Sequence, residues 1–357
     1  MAASTVAMDA RLVGKTSTGD STYWTGLLEG FCQISSDLRL LLYSDGPVPD
    51  GVVLPPNARW IELPARSSRF WSYVQFPLAA RKAGARAIHT QYSLSPLVGR
   101  HGITTVHDVS FFIGPEWFQP KDRFILQRSV PAAVRRAARV LAVSETCKGE
   151  IASYIPAAQG KTDVTFNACP SWIQRLPRSE AVERVRSKFG IDEPYVLTVG
   201  TRWPRKNFGL AVAAMASLPQ TLVITGKSGW GDQSPGPRGH AVGYVSTEDL
   251  SALYSAADLY LLPSFHEGFG IPILEAFRCG CPVLSSSGGA APEVCGLAAR
   301  VMPTFLADDW TAAIAELLGD RSKLEAMQES GFTRERDFSW KATAAHLDSI
   351  YREVCNR

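Results

Sequence analysis

The stretch from Pro263 to Glu293 constrains the fold of this chain more than any other part of the sequence. The apolar run Tyr260–Leu262 that precedes it favours a buried parallel strand. Gly268 and Gly270 let the backbone come close to a ligand, because no side chain stands in the way. Pro272 suits the first position of a helix, where its missing N–H costs nothing. The stretch therefore predicts a strand, a glycine-rich loop, a helix and another strand.

The loop before this helix has the features of an anion-binding site. Backbone N–H groups at a helix N-terminus attract anions, and the helix dipole adds to the attraction. Two carboxylates bracket the loop, since Glu267 lies on it and Glu275 lies about one turn into the helix. An anion site beside two acceptors for hydroxyl groups is more typical of a pocket for a sugar nucleotide than of a pocket for phosphate alone.

The length of the chain and its alternating pattern predict two α/β domains. At 357 residues the chain is too long for one ordinary core, and two domains of roughly 150–200 residues are expected. Apolar strand-like runs alternate with amphipathic helical runs, which is typical of α/β layers with parallel sheets. In the first half the predicted strands begin with Thr5–Asp9 and end with Val164–Asn167. The prolines and the charged helix between Asn167 and Glu193 predict the crossover to the second half.

The composition excludes several classes of protein. Apolar residues make up 45% and charged residues 20% of the chain, as in ordinary soluble proteins. The formal net charge of +3 is too small to indicate a nucleic-acid partner. The sequence has no run of about 18 apolar residues to span a membrane, and we expect no signal peptide. The seven scattered cysteines are typical of buried thiols in a reducing compartment, so we expect a cytoplasmic protein.

The segment Leu63–His107 contains no aspartate or glutamate over 45 residues. Its basic and aromatic residues are interleaved, and they are Arg66, Arg69, Phe70, Trp71, Tyr73, Phe76, Arg81, Lys82, Arg86 and Arg100. One interpretation is a solvated helix face whose aromatic side belongs to the core. The other is a basic, aromatic surface for an anionic lipid headgroup or a phosphate-bearing acceptor, which predicts peripheral contact with the cytoplasmic face of the inner membrane.

Two further places carry residues suited to a site. The strand Ile103–Asp108 delivers His107 and Asp108 to its carboxyl end, where open α/β sheets bind ligands. A helix-capping aspartate beside a structural histidine is an equally open interpretation of that pair. In the second half, the basic residues of the loop after the strand Tyr195–Gly200 are Arg202, Arg205 and Lys206.

Five blocks of the chain, taken together, resemble one known family. In chain order they are Val106–Asp108, Val199–Asn207, Gly243–Val245, Pro263–Val283 and Phe338–Trp340. In the fourth block, seven residues separate Glu267 from Glu275, and this spacing is similar to the signature of the retaining nucleotide-sugar glycosyltransferases of family four, the glycosyl transferases group 1. From this resemblance the chain is identified as a member of that family.

The resemblance implies the GT-B fold, an α/β architecture in which two Rossmann-like domains with parallel sheets face a cleft. It implies an acceptor-side domain at residues 1–172, a nucleotide-sugar-binding domain at 173–336, and a C-terminal helix at 337–357 that returns to the first domain. Relatives often carry Gly-x-Gly-Arg-Tyr in the first glycine loop. This chain has Gly19-Asp20-Ser21 there, so a basic contact beside Gly19 is missing on the acceptor side.

The chemistry of such a transfer assigns roles to the basic loop and to the helix N-terminus. A departing diphosphate must be stabilised, and without a metal ion that task falls to cations and helix N-termini. Arg205 and Lys206 supply the charge. The backbone N–H groups that supply the dipole are those of Gly268, Phe269, Gly270 and Ile271. Many relatives carry an arginine where Thr201 stands here, so either Arg202 or Arg205 is expected to replace it.

The remaining roles are implied by the resemblance alone. Glu275 accepts hydrogen bonds from the ribose hydroxyls, and Glu267 accepts them from hydroxyls of the donor sugar. Glu267 need not be a nucleophile, because retention in this family is generally explained by front-side attack within an ion pair. His107 lies beside the donor sugar or the acceptor. The other residues expected to line the substrate site are Gly19, Asp108, Gly200 and, beside the nucleobase, Tyr244 and Val245.

The sequence therefore predicts a metal-independent retaining hexosyltransferase of polysaccharide biosynthesis. Its expected partners are a nucleotide-diphosphate sugar, with GDP-mannose as the first choice, and a glycan or lipid-linked saccharide acceptor; no cofactor is expected. Two alternatives stay open: a GT-B sugar-nucleotide epimerase or phosphorylase, and a nucleotide-sugar binding protein without catalysis. A pure binder does not need a clamp for the leaving group, so the combination of cations and carboxylates favours the enzyme.

Overall fold

The structure is a computed structural model that describes residues 4–15, 19–192, 194–230 and 234–357. Contacts within the chain divide it into two compact units. Unit 1 comprises Met1–Asn167 and Ser339–Arg357, and unit 2 comprises Ala168–Phe338. The predicted boundaries, after residues 172 and 336, lie five and two residues from those of the structure.

The strands are short, and they are numbered here in chain order. They are β1 (Thr5–Asp9), β2 (Arg39–Ser44), β3 (Ala58–Glu62), β4 (Ala87–Gln91), β5 (Gly102–Val106), β6 (Arg139–Ala142), β7 (Thr162–Val164), β8 (Tyr195–Val199), β9 (Thr221–Thr225), β10 (Gly239–Gly243), β11 (Leu259–Leu262), β12 (Val283–Ser286) and β13 (Arg300–Met302). Every pair of neighbouring strands in the described ranges is parallel. The predicted α/β class with parallel sheets is confirmed.

The helices fill the connections between these strands. They are α1 (Gly19–Cys32), α2 (Ser68–Phe70), α3 (Phe76–Lys82), α4 (Ser110–Ile113), α5 (Pro120–Arg136), α6 (Glu145–Tyr154), α7 (Arg178–Phe189), α8 (Phe208–Met215), α9 (Thr247–Ala256), α10 (Ile271–Cys279), α11 (Ala291–Cys295), α12 (Ala307–Leu318), α13 (Arg321–Glu335) and α14 (Trp340–Cys355). A π-helical turn at Trp71–Gln75 and 3₁₀ turns at Pro96–His101, Pro115–Trp117, Pro156–Ala158 and Pro204–Lys206 complete the regular structure of the described residues.

Each unit contains one sheet whose chain order reverses at a single point. The order is β3-β2-β1-β4-β5-β6-β7 in unit 1 and β10-β9-β8-β11-β12-β13 in unit 2, over the residues that the structure describes. The reversal falls between β1 and β4 in the first sheet and between β8 and β11 in the second. Open α/β sheets bind ligands beyond the carboxyl ends of the strands at such a point. The loops after these four strands are therefore the candidate site positions.

The C-terminal helix α14 packs against α1 within unit 1. A Cβ added to Gly26 would lie 2.1 Å from a ring carbon of Trp340, and one added to Gly30 would lie 2.1 Å from the Trp340 carbonyl oxygen. A side chain at either glycine would therefore push the two helices apart. Thr343 Oγ1 also donates to the carbonyl oxygen of Phe166 at 2.6 Å, which joins α14 to the end of the first part of unit 1.

The acid-free segment Leu63–His107 is divided between core and surface. Trp71 and Phe76 are fully buried, with their rings stacked 4.9 Å apart, so these two rings belong to the core, whereas Phe70 is 42% exposed. The segment is not a single helix, because it also contains β4, which the sequence did not predict. Its exposed basic residues, called the basic surface below, are Arg66, Arg69, Arg81, Lys82, Arg86 and Arg100.

Two other predictions differ from the structure, and a third cannot be compared with it. The strand predicted at Val164–Asn167 lies two residues earlier as β7, because Thr162–Val164 is the part that pairs with β6. Pro272 is the second residue of α10, since Gly270 is the N-cap. Part of the first glycine loop, Thr16–Thr18, lies outside the described residues.

The cysteines are mostly the buried thiols that the sequence predicts. Cys147, Cys169, Cys279, Cys281, Cys295 and Cys355 are buried, whereas Cys32 is exposed, contrary to the prediction. Burial raises the pKa of Cys279 to about 12 and that of Cys281 well above its ordinary value. These two thiols therefore stay protonated, as expected of side chains that serve only in packing.

Candidate functional site

In unit 2, the loops after β8, β11 and β12 meet at the carboxyl edge of the sheet. The backbone N–H of Phe265 donates to the carbonyl oxygen of Arg205 at 2.9 Å. On the other side, the backbone N–H of Ala290 donates to the carbonyl oxygen of Glu267 at 2.8 Å. These bonds hold the loop after β11 between its two neighbours. Residues far apart in the chain are thereby brought together where the strand order reverses.

Glu267 is a buried carboxylate on this loop, and it is 5% exposed. Lys206 Nζ lies 2.8 Å from its Oε1 and 3.0 Å from its Oε2, and Arg205 Nη1 lies 3.5 Å from Oε2. Ser264 Oγ donates to Oε1 at 2.5 Å. Burial alone would raise the pKa of Glu267, but the nearby Lys206 and Arg205 charges and these hydrogen bonds lower it below its ordinary value. Glu267 is therefore ionised and shared between two cations.

Glu275 is the fifth residue of α10, and its surroundings are different. Tyr254 Oη donates to its Oε2 at 3.0 Å, while the Tyr260 ring packs edge-on against Tyr254 at 5.5 Å. Burial raises the pKa of Glu275 to about 7, against the opposing effects of the Tyr254 hydrogen bond and of the Lys206 and Arg278 charges. At neutral pH this side chain therefore exists in both its protonated and its ionised form.

The N-terminus of α10 opens at the same loop. Gly270 is the N-cap and has a φ of 102°, a conformation that residues with a side chain rarely adopt. The N–H groups of Gly270 and Ile271 donate to none of the residues that the structure describes, as expected at a helix start that can receive an anion. Phe269 instead packs inward, with its ring 5.4 Å from that of Phe338. Gly268 is buried in the same loop.

Arg202 and Arg205, either of which could replace the arginine common in relatives, have different contacts in the turn after β8. Arg205 lies beside Glu267, as described above. Arg202 Nη2 instead donates to Ser228 Oγ at 2.8 Å, on the loop that follows β9. The geometry therefore favours Arg205 as the second cation next to the carboxylate.

The other predicted residues of unit 2 lie at the ends of neighbouring strands. Gly200 directly follows β8, and a Cβ added there would lie 3.7 Å from Cε of Lys206. Tyr244 follows β10 and is 52% exposed, with Lys227 Nζ 4.9 Å from the centre of its ring. Val245, the next residue, is half-buried. An exposed aromatic ring with a cation over it is suited to stacking on a planar ligand.

Gly19, His107 and Asp108 lie in unit 1. Gly19 is the exposed first residue of α1. His107 follows β5, is 7% exposed, and has its Nε2 3.1 Å from Gln91 Oε1. Asp108 Oδ1 accepts from the N–H and from the hydroxyl of Ser110, at 2.9 and 2.6 Å, but the N-cap of α4 is Val109, so Asp108 is not the capping residue of that helix. No sequence motif marks Gln91, because only the pairing of β4 with β5 places it beside His107.

The charges around Glu267 are side-chain cations and a helix N-terminus. Within the ranges that the structure describes, no three His, Cys, Asp or Glu side chains are grouped so as to hold a metal ion. Cations and aimed N–H groups stabilise a departing diphosphate through the same electrostatics that a metal ion would use. Metal independence stays a prediction.

The fold and the site together define a class of protein. It is an α/β protein with a site suited to a ligand that carries both phosphates and hydroxyl groups. Residues 181–334 match the model of the family described as glycosyl transferases group 1. The O-antigen chain mannosyltransferase B of Escherichia coli is 34% identical over 268 residues, which cover 70% of this chain and 70% of that protein. The chain belongs to the glycosyl transferases group 1 family and is a glycosyltransferase.

Solved structures resemble the chain over nearly its whole length. Sucrose-phosphate synthase from Thermosynechococcus elongatus superimposes with a TM-score of 0.76 and 23% identity, covering 98% of this chain and 99% of that one. The structure of Anabaena Alr3699/HepE in complex with UDP and glucose gives a TM-score of 0.73 and 17% identity, covering 98% and 100%. The GT-B fold that the sequence predicts is confirmed.

Proposed function

We propose that this protein is a retaining mannosyltransferase that moves mannose from GDP-mannose to a glycan or lipid-linked saccharide in polysaccharide biosynthesis. The observation that carries the proposal is the contact of Lys206 and Arg205 with the buried Glu267, 2.8 and 3.5 Å from its oxygens, at the start of α10. The choice of mannose is supported by the identity to O-antigen chain mannosyltransferase B.

The leaving diphosphate is held by the cations and by the helix N-terminus. A lysine ammonium has three N–H donors, and the two Lys206 contacts to Glu267 leave donor capacity for a phosphate oxygen. Arg205 adds a second positive charge, and the N–H groups of Gly270 and Ile271 add the positive end of the helix dipole. Negative charge that develops on the diphosphate in the transition state is thereby stabilised without a metal ion.

The two glutamates hold the hydroxyl groups of the donor. Glu267 accepts from the transferred sugar, and Glu275 accepts from the ribose. Because Glu267 is ionised and already bound by two cations, it is a weak nucleophile, which agrees with retention by front-side attack within an ion pair. Tyr244 and Val245 border the nucleobase, and Gly200 and Gly268 let the backbone approach the donor.

The acceptor side of the reaction belongs to residues of unit 1. We assign His107 to the transferred sugar or to the acceptor. Gly19 contributes backbone at the start of α1, where the chain lacks the basic residue common in relatives. Asp108 supports the loop through Ser110 and not through direct contact with the substrate.

A donor panel tests the proposal. Purified protein is mixed with GDP-, UDP-, ADP- and dTDP-sugars, and the thermal midpoint is recorded. GDP-mannose is expected to raise the midpoint most, because binding to the folded state stabilises it. A lipid-linked mannoside is then added, and NMR of the product should show a new α-linked mannose. Formation of an epimer from the nucleotide sugar alone would overturn the proposal in favour of an epimerase.

We also infer that unit 1 contacts the cytoplasmic face of the inner membrane. The basic surface is accompanied by exposed apolar side chains, those of Phe70, Leu78 and Leu97. Basic groups beside apolar ones suit a membrane that carries anionic lipid. Among the described residues, no helix has the length and apolar character needed to cross a membrane. Anionic liposomes should sediment the protein at low salt; equal sedimentation with neutral liposomes would contradict an electrostatic contact.

A further inference from the structure

The side chain of His107 is held by hydrogen bonds that begin at a buried tryptophan. Trp24 Nε1 donates to Gln91 Oε1 at 2.6 Å, and His107 Nε2 lies 3.1 Å from the same oxygen. Trp24 is 1% exposed, so its indole cannot exchange this partner for water. The three residues meet because β4, which ends at Gln91, pairs with β5, which ends one residue before His107.

The chemistry of these groups decides where the imidazole carries its proton. An indole N–H can only donate, so the amide atom that it contacts is the carbonyl oxygen of Gln91. The amide nitrogen then faces an acceptor, since Gln91 Nε2 lies 3.5 Å from Asp20 Oδ2. A carbonyl oxygen can only accept, so the neutral His107 ring must carry its proton on Nε2. Asp20 Oδ1 is a second acceptor but lies farther from this nitrogen, at 3.9 Å, so Gln91 is the nearer group that selects the Nε2–H tautomer.

This tautomer determines what His107 offers to a ligand. Its Nδ1 is left as a hydrogen-bond acceptor, and it bonds to no other part of the chain within the described ranges. A sugar hydroxyl can donate to such a nitrogen, whereas a fully ionised phosphate oxygen cannot. Two tyrosine rings also pack against the imidazole. The ring centroid of Tyr23 lies 5.0 Å from that of His107 with an interplanar angle of 87°, and the centroid of Tyr92 lies 5.6 Å away with an angle of 49°.

The backbone next to Gln91 has an unusual conformation. Tyr92 has a φ of 54°, a left-handed conformation that non-glycine residues seldom adopt, and its N–H donates to the carbonyl oxygen of Thr105 at 2.9 Å. Residues held in this region concentrate at functional sites, where the surrounding structure maintains them. The turn therefore keeps the ends of β4 and β5 together, and with them Gln91 and His107.

We propose that Gln91 is a positioning residue that holds His107 as an acceptor for a hydroxyl group of the transferred sugar or of the saccharide acceptor. The proposal rests on the proposed function for the identity of that hydroxyl. The tautomer of His107 is independent of the proposed function, because it follows from the hydrogen bonds alone.

The test uses NMR of ¹⁵N-labelled imidazole rings at alkaline pH, with the His107 signals assigned from a His107→Asn variant. Gln91→Leu removes the carbonyl acceptor, and Gln91→Glu keeps an acceptor in its place. Gln127→Leu is the matched control, because Gln127 Nε2 donates to the Phe111 carbonyl oxygen at 2.8 Å elsewhere in unit 1. We expect the proton on Nε2 in the wild type, in Gln91→Glu and in Gln127→Leu. We expect a mixture with Nδ1–H in Gln91→Leu.

Two results would overturn the tautomer assignment. They are an Nδ1–H ring in the wild type and an unchanged Nε2–H ring in Gln91→Leu. If the leucine variant does not fold, Trp24→Phe decides the same question, because it keeps an aromatic ring and removes the indole N–H that orients the amide. A measurable share of the Nδ1–H tautomer in Trp24→Phe would support the proposal. A ring that carries its proton entirely on Nε2 in this variant would overturn it.

A kinetic measurement tests the role in transfer. Gln91→Leu should lower kcat roughly tenfold while the donor KM changes less than about twofold, since Gln91 positions a reacting group and does not hold the diphosphate. Gln91→Glu should recover part of the rate. A changed tautomer with an unchanged kcat would overturn the role in transfer. If the wild type transfers no sugar, the proposed function fails, while the NMR result still decides whether Gln91 sets the tautomer.

Discussion

Glu267 and Glu275 are residues of one type, eight positions apart and buried to a similar extent, yet they differ in charge. Glu267 is 5% exposed and lies between Lys206 and Arg205, and its pKa is lowered. Glu275 is 9% exposed and receives a hydrogen bond from Tyr254, and burial raises its pKa to about 7. Burial acts on both carboxyl groups, so the neighbouring side chains make the difference.

The difference shows how one short stretch can hold two kinds of carboxyl group. The loop carries a permanent anion that fixes the positions of the two cations before any ligand is bound. The helix carries an acid that changes its protonation within the neutral range. A donor that brings hydroxyl groups to Glu275 therefore meets a group whose charge is not yet fixed.

Among the substitutions that test the difference between the two glutamates, replacement of Lys206 should have the largest effect on activity. Lys206→Met removes the closest cation from Glu267, so a buried carboxylate loses most of its compensation. In the proposed function, the leaving diphosphate also loses its main counter-charge. We expect kcat/KM to fall by roughly 10³-fold, or about 4 kcal/mol of transition-state stabilisation. Lys323→Met, which removes an exposed partner of Glu316, is the control and should change the rate little. A Lys206→Met enzyme within tenfold of the wild type would refute the assignment.

The pH dependence of stability should follow Glu275. Its folded pKa of about 7 lies above the ordinary value of 4.5, so its contribution is fully present below about pH 4.5 and is lost as the pH rises through about 7. The loss amounts to roughly 3 kcal/mol, because a tenfold change in proton affinity corresponds to about 1.4 kcal/mol. Glu275→Gln should remove this decline in urea unfolding measured between about pH 5 and pH 8.

Glu267→Gln is the matched control for that series. Because the folded pKa of Glu267 is lowered, its contribution is present above the ordinary pKa and is lost only as the pH falls through the folded value. The variant should therefore be less stable than the wild type across the neutral range, and it should keep the decline due to Glu275. An identical slope in the wild type and in Glu275→Gln would contradict the account.

The two arginines of the loop after β8 should differ in their effect. Arg205→Ala removes the second cation from Glu267, and we expect a loss in kcat/KM of roughly 30-fold, or about 2 kcal/mol. Arg202→Ala removes a contact to Ser228 and should cost less than about threefold. Steady-state kinetics of both variants with the same donor would decide between them. A larger loss in Arg202→Ala would reverse the assignment.

Tyr254→Phe should have the smallest effect. The Tyr254 hydroxyl favours the ionised form of Glu275, so its removal should raise the pKa of Glu275 further and move the decline in stability to higher pH. We expect a displacement of less than about one pH unit, in keeping with a hydrogen bond worth about 1 kcal/mol. Tyr195→Phe is the control, since the Tyr195 hydroxyl donates instead to the Leu253 carbonyl oxygen at 2.6 Å. A displacement of equal size in both variants would contradict the role given to Tyr254.

The sequence predicted the architecture well where the pattern is strong. The strand Thr5–Asp9 and the helix–strand pair after Pro263 are present because apolar runs bounded by glycine and proline have few other solutions. The strand β4 was missed because it reads Ala-Ile-His-Thr-Gln, which does not alternate between apolar and polar residues. The end of the first half was misplaced because β7 is three residues long and only partly buried.

The candidate site could be predicted only in part. Resemblance to a family brought Lys206 and Glu267 together, although 60 residues lie between them. The choice between Arg202 and Arg205 needed the geometry of a turn, since both are basic residues of the same loop. The pKa of Glu275 is raised because burial outweighs the Tyr254 hydrogen bond and the nearby charges, and the fold alone determines that balance. The position of Gln91 beside His107 depends on the pairing of β4 with β5. Neither of these leaves a pattern in the sequence.

The most direct measurement is a ¹³C NMR titration of the glutamate carboxyl groups, with the two signals assigned from Glu267→Gln and Glu275→Gln. At about pH 6 we expect Glu267 to be fully ionised and most of Glu275 to be protonated, and the Glu275 signal should have its midpoint near 7. If both signals titrate together near the ordinary value of 4.5, the neighbours do not set the two charges and the account is wrong.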